Sequence, residues 1–114
     1  ISGNAPKQVL LRAVGPTLTK MNLGQADVLL DPTIELHDAI HGNETIATND
    51  NWGDNANAGA ITSTAARIGA TTLDAADTKS SALLMTLQPG VYTFVAAGKS
   101  GTSGIVLVEV YDAD

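Results

Sequence analysis

Apolar residues fall in short runs at strand spacing over most of the chain, and the last third is the clearest stretch. Ser81-Ala-Leu-Leu-Met-Thr-Leu87 leads into Gln88-Pro89-Gly90. Val91–Ala97 follows, then a Gly/Ser loop, then Ile105–Tyr111. Apolar run, tight turn, apolar run, loop, apolar run predicts an antiparallel meander of three strands. Upstream, Gln8–Val14 puts Val9, Leu11 and Ala13 on one face and Leu10, Arg12 and Val14 on the other. Both faces are largely apolar, so this strand is expected in a central position or covered on both sides, and Gly15-Pro16 ends it. Thr33–Asp38 alternates, with Ile34 and Leu36 inward and Thr33, Glu35 and His37 outward. Glu44–Thr48 returns across a turn to make a hairpin. Thr17–Leu30 fits either a short helical turn or an irregular loop. The period changes at 58–70, where Ala58, Ile61, Ala65 and Ile68 recur at helical spacing and Gly69 suits a C-cap. Six or so strands and one short helix predict an all-β chain, an antiparallel β-sandwich forming a single domain over 1–114.

Composition narrows this picture. Hydrophobic residues make up 44% and charged residues 16%, enough for a core, and aromatics only 4%, so the core is aliphatic. The formal net charge of -6 leaves no basic patch for nucleic acid and disfavours anionic membrane surfaces. Cysteine is absent, which excludes disulfides and thiol chemistry. No apolar run reaches the length of a membrane span, so membrane insertion is not expected. Ile1-Ser-Gly3 reads as the end of a strand, and we expect a segment of a longer chain or a processed product. The Thr, Asn, Ser, Gly and Asp surface has the style of secreted bacterial repeat proteins.

Three stretches carry a family resemblance: Asp31–Asp38 followed by Ile46–Asp50, Leu87-Gln-Pro-Gly-Val-Tyr-Thr-Phe94, and Val106–Tyr111. Their order resembles the bacterial pre-peptidase C-terminal (PPC) domain. Leu11-Arg-Ala-Val-Gly-Pro16, Asn49-Asp-Asn-Trp52 and Val108-Glu-Val-Tyr-Asp112 are similar to a module of large secreted or surface proteins of environmental bacteria. The likeness covers most of the chain from Gln8 onward. It implies a jelly-roll-like sandwich, an extracellular or cell-surface bacterial setting and a non-catalytic accessory role. In that module a further apolar strand precedes the position of Ile1-Ser-Gly3. Here it is missing or a stub, which leaves a sheet edge or groove for something else to fill.

Candidate chemistry is sparse. Asn49, Asp50, Asn51 and Asp54 put hard oxygens at the short spacing Ca²⁺ prefers, without the bidentate Glu of an EF-hand. The competing expectation is a turn whose Asn and Asp side chains bond their own backbone. Trp52, the only tryptophan, either stacks on a sugar ring or packs over the end of the sandwich. Arg12 and Glu109 are charges inside apolar strands and are expected to pair with each other, with Asp112 or with backbone carbonyls. His37 and His41 with Asp38 and Glu44 either form a transition-metal site or a solvated turn. There is no Gly-x-Ser-x-Gly elbow and no phosphate-cradling Lys beside Ser100–Gly104, and no nucleophile, base and orienting group are in evidence, so an enzyme is not expected. The expected role is a non-catalytic extracellular structural or adhesive module, completed by a strand from a neighbouring copy or an adjacent domain and able to build a filament. The alternative is a Ca²⁺-dependent carbohydrate-binding module of a secreted enzyme, with polysaccharide as partner.

Overall fold

A computed structural model describes all 114 residues, Ile1–Asp114. It contains six strands and one α-helix: β1 (Lys7–Val14), β2 (Pro32–Asp38), β3 (Glu44–Asn49), α1 (Ala58–Ile68), β4 (Ser81–Leu87), β5 (Tyr92–Gly98) and β6 (Leu107–Asp112). The strands make two antiparallel three-stranded sheets, ordered β4-β1-β6 and β3-β2-β5. This is the all-β sandwich with one short helix that the patterning predicts.

β1 explains the arrangement of the first sheet. Its two apolar faces need cover on both sides, and it receives both. Val9, Leu11 and Ala13 face the second sheet and pack with Ile34, Leu36, Leu83 and Leu87. Leu10, on the opposite face, packs under α1 with Ile61, Ala82, Leu84 and Ala113, flanked by Trp52, Ala65 and Ile68. α1 ends where Gly69 adopts a left-handed conformation and donates its N–H to Ala65 and Ala66 carbonyls. A third cluster of Val14, Leu18 and Val28 closes one end, where a 3-10 turn (Pro16–Met21) occupies part of the ambiguous stretch. Gly15 is required at this end, because a Cβ there would sit 1.9 Å from the Leu29 carbonyl oxygen.

The meander expected across Ser81–Tyr111 does not form. β4 and β6 lie in one sheet, on either side of β1, and β5 lies in the other, beside β2. Gln88-Pro89-Gly90 therefore carries the chain from sheet to sheet instead of turning a hairpin. The cause is visible in the patterns. Doubly apolar β1 takes an apolar strand on each side. β5 offers one inward face, Tyr92, Phe94 and Ala96, and suits the one-sided sheet of β2. The β2–β3 hairpin forms as expected, with a bulge between Leu36 and His37.

Candidate functional site

The two long sides of the sandwich are finished differently, and the unfinished one is the candidate site. Along β6, residues opposite β1 share its faces: Leu11 pairs with Val110 and Ala13 with Val108. Leu11 and Ala13 are 3% and 0% exposed, yet Val110 and Val108, on the same inter-sheet face, are 64% and 46% exposed. Nothing lies over them, because β6 stands off from β5 while β4 lies against β3 and β2. The result is an open cleft of about 190 Å³ lined by eight hydrophobic residues, among them Ile1, Leu36, Tyr92, Phe94 and Val110. The Tyr92 hydroxyl is turned back to the Gln88 carbonyl, 2.7 Å away. What the cleft offers is apolar surface beside the edge of β5.

Ile1 sits at one end of this cleft. Its nitrogen donates to the Gly90 carbonyl (2.6 Å), and its carbonyl accepts the Gly90 N–H (2.8 Å). Two residues that exchange both bonds form the hydrogen-bonded pair of an antiparallel ladder.

A second concavity, about 370 Å³, lies beneath α1 and is lined mainly by Ile61, Ala65, Ala66, Leu73 and Trp52, with Arg12 at its floor. Arg12 is 1% exposed. Its Nε donates to Glu109 Oε1 (2.7 Å), and its Nη2 lies 2.6 Å from the same oxygen without a hydrogen bond of its own. Arg12 and Glu109 are opposite one another across β1 and β6. The guanidinium also lies 5.8 Å from the Tyr111 ring centroid, and the Tyr111 hydroxyl donates to Glu109 Oε2. Burial, with the neighbouring Glu109 carboxylate, holds the Tyr111 hydroxyl above its ordinary pKa.

The other residues singled out by sequence are dispersed. Trp52 is half-buried at the α1 side, and its Nε1 donates to the Asp77 carbonyl (2.8 Å). Asn49 clamps β3 to β4, its Oδ1 accepting the Ala82 N–H (2.9 Å) and its Nδ2 donating to the Asn51 carbonyl (3.0 Å). Asn51 Nδ2 donates to Asp54 Oδ2 (3.3 Å). Asp50 is engaged by the Lys99 ammonium, which holds its carboxyl below the usual range. Asp31 stands beside Asp50, with Lys79 3.9 Å from its carboxylate. His37 bonds Glu35 (3.1 Å) and His41 bonds Asp38 (2.7 Å), each as a separate pair. No group of three His, Cys, Asp or Glu side chains converges as a metal would need.

Sequence reasoning passed over Asp77, placed in a connector. Its carboxylate is buried and accepts five bonds: from the Thr17 N–H and hydroxyl, the Lys79 N–H, and the Ser80 N–H and hydroxyl. Burial pushes the group up, but the donors from Ser80 and Thr17 outweigh it and leave the pKa lowered. The available signal was Asp followed three residues later by Ser, the pattern of a side chain bonding its own turn. No helix is long and apolar enough to cross a membrane. No family model, curated protein or solved structure matches the chain.

Proposed function

We propose that the chain is a non-catalytic structural module of an extracellular or cell-surface bacterial protein, which joins to neighbouring copies or adjacent domains by β-strand addition. The observation that carries this reading is the uncovered pair Val108 and Val110, directly opposite the buried Ala13 and Leu11 on the inter-sheet face. Apolar side chains on an edge strand, beside unpaired backbone groups, favour association with another strand. Repeated head to tail, such a contact grows a fibre. The resemblance to pre-peptidase C-terminal domains points the same way, to an accessory role outside the cell.

The calcium-dependent carbohydrate reading has less behind it. The Asp50 carboxylate already has Lys99 as counter-charge, and Trp52 is committed by its Nε1 to Asp77. Sedimentation over a concentration series tests the favoured reading. The 114-residue chain is expected to self-associate, and Val110→Lys to disperse it. A chain that stays monomeric at the highest concentrations overturns the proposal.

A further inference from the structure

The open cleft has a direction and a register, and together they define its occupant. Alternate residues of a strand turn their backbone groups to opposite edges. The Val91 carbonyl accepts the Ala39 N–H and the Lys99 N–H reaches the Asp31 carbonyl, both on the β2 side. Residues 91, 93, 95, 97 and 99 therefore face β2, in phase with the pairs Thr93↔His37, Val95↔Glu35 and Ala97↔Thr33. Gly90, Tyr92, Phe94 and Ala96 turn theirs to the opposite edge. Ile1 has taken Gly90 on that edge. Tyr92, Phe94 and Ala96 continue the row, and β5 has no strand beyond it.

Resting on the module reading above, we infer that the cleft is a receptor for one extended peptide strand, antiparallel to β5 and in line with the Ile1–Gly90 rung. Counting back from Ile1 along such a strand, the residues two, four and six positions before it oppose Tyr92, Phe94 and Ala96. Directly opposed residues share a face, so those three side chains point inward, toward Val110 and Val108. They must be apolar, while the intervening residues face solvent. A small apolar ligand or a helix would fill the volume but leave the N–H and C=O groups of Tyr92, Phe94 and Ala96 unpaired. Pairing of two β5 edges across a dimer axis is obstructed because Ile1 already stands on that edge.

The test compares the chain with two variants that carry a six-residue extension directly before Ile1. In-phase Val-Thr-Val-Thr-Val-Thr places valine at the second, fourth and sixth positions before Ile1. Thr-Val-Thr-Val-Thr-Val has the same composition slipped by one residue, which turns every valine outward. The in-phase extension is expected to slow amide exchange at Tyr92, Phe94 and Ala96 by about tenfold or more and to raise the melting temperature. The slipped extension is expected to do neither. Equal effects from both would mean an unspecific apolar cover, and no effect from either would mean that no strand binds. Each of these overturns the inference. The size of the in-phase variant by sedimentation bears on the assembly reading alone. A protected monomer leaves the strand receptor standing and removes fibre growth by this route. A protected oligomer supports both.

Discussion

The β3/β4 side and the β5/β6 side of this sandwich are built from the same kind of aliphatic strand, yet one is sealed and the other gapes. The sealed side is stitched by short polar side chains that bond backbone. Asn49 holds the Ala82 N–H, Ser81 donates to the Pro32 and Asp50 carbonyls, and the Trp52 N–H reaches the Ser80 carbonyl. The open side has no such stitch beyond Ile1 and Gly90. An edge strand whose backbone is capped by side chains is closed to further pairing, whereas an uncapped one leaves its N–H and C=O groups open. Polar residues on the first side and apolar ones on the second thus distinguish a closed seam from an open cleft, and the proposed strand addition belongs to the second.

The contrast is sharpest between two residues that face each other across one ladder. Leu11→Ala is expected to cost about 3 kcal/mol, since the site is packed from both sheets and collapses poorly. Val110→Ala, directly opposite, is expected to cost less than about 0.5 kcal/mol in the isolated chain. Urea unfolding of the two variants reads the difference. A comparable loss at both positions would mean that the β6 side is closed in solution.

The seam itself is the next largest target. Asn49→Ala strands the Ala82 N–H at the β3/β4 junction and is expected to cost about 2 kcal/mol. Asn49→Asp keeps the acceptor oxygen and should recover most of that loss in the same unfolding assay. If Asn49→Ala is neutral, the junction is held by strand packing alone.

Asp77 connects the seam to the end of the sandwich, and pH separates its contribution from the rest. Its folded pKa lies below the unfolded value of 3.8. Its ionised form is therefore the one the fold favours, so its stabilisation is complete above pH 3.8 and is lost as pH falls through the lower folded value. Melting temperatures followed down in pH should fall in that window for the parent chain. Asp77→Asn is expected to be less stable at neutral pH and to lose this part of the decline. A variant that keeps the full acid slope would assign it to other carboxylates.

How much of this was legible follows from what each feature depends on. Periodicity placed the helix with its Gly69 cap and the inward Ile34 and Leu36, because those depend on one segment meeting one face. The Arg12–Glu109 pair was legible because a charge inside an apolar strand demands a counter-charge and few were near in pattern. The meander was not. Whether β5 pairs with β4 or crosses to β2 depends on which neighbour each strand's second face can cover, a property of pairs of segments. Asp77 was missed for a similar reason: two of its five donors come from Thr17, far away in sequence. The oxygen-rich loop drew attention for the residues it contains, while its actual counter-charge, Lys99, arrives from the far side of β5.

The smallest effect expected is at the edge of the seam, and its sign runs opposite to the others. Burial and then the neighbouring Asp50 carboxyl raise the pKa of Asp31, against the pull of Lys79 and Lys99. The fold thus prefers Asp31 protonated, and its ionisation at neutral pH subtracts from stability. Asp31→Asn mimics the protonated form, so it should stabilise the chain by a few tenths, about 0.5 kcal/mol, at neutral pH. That gain should shrink as pH falls through the raised folded pKa toward 3.8 and vanish below 3.8, where the parent carboxyl is neutral in both states. If Ca²⁺ used the Asp31 and Asp50 oxygens, the order would reverse: Asp31→Asn would remove a ligand charge and reduce any calcium-dependent rise in melting temperature. Thermal melts of both proteins with calcium and with EDTA therefore distinguish a seam that bears a like-charge pair from one that needs a cation. A melting temperature that rises with calcium in the parent chain alone would place a cation site on the closed side, beside Asp31 and Asp50.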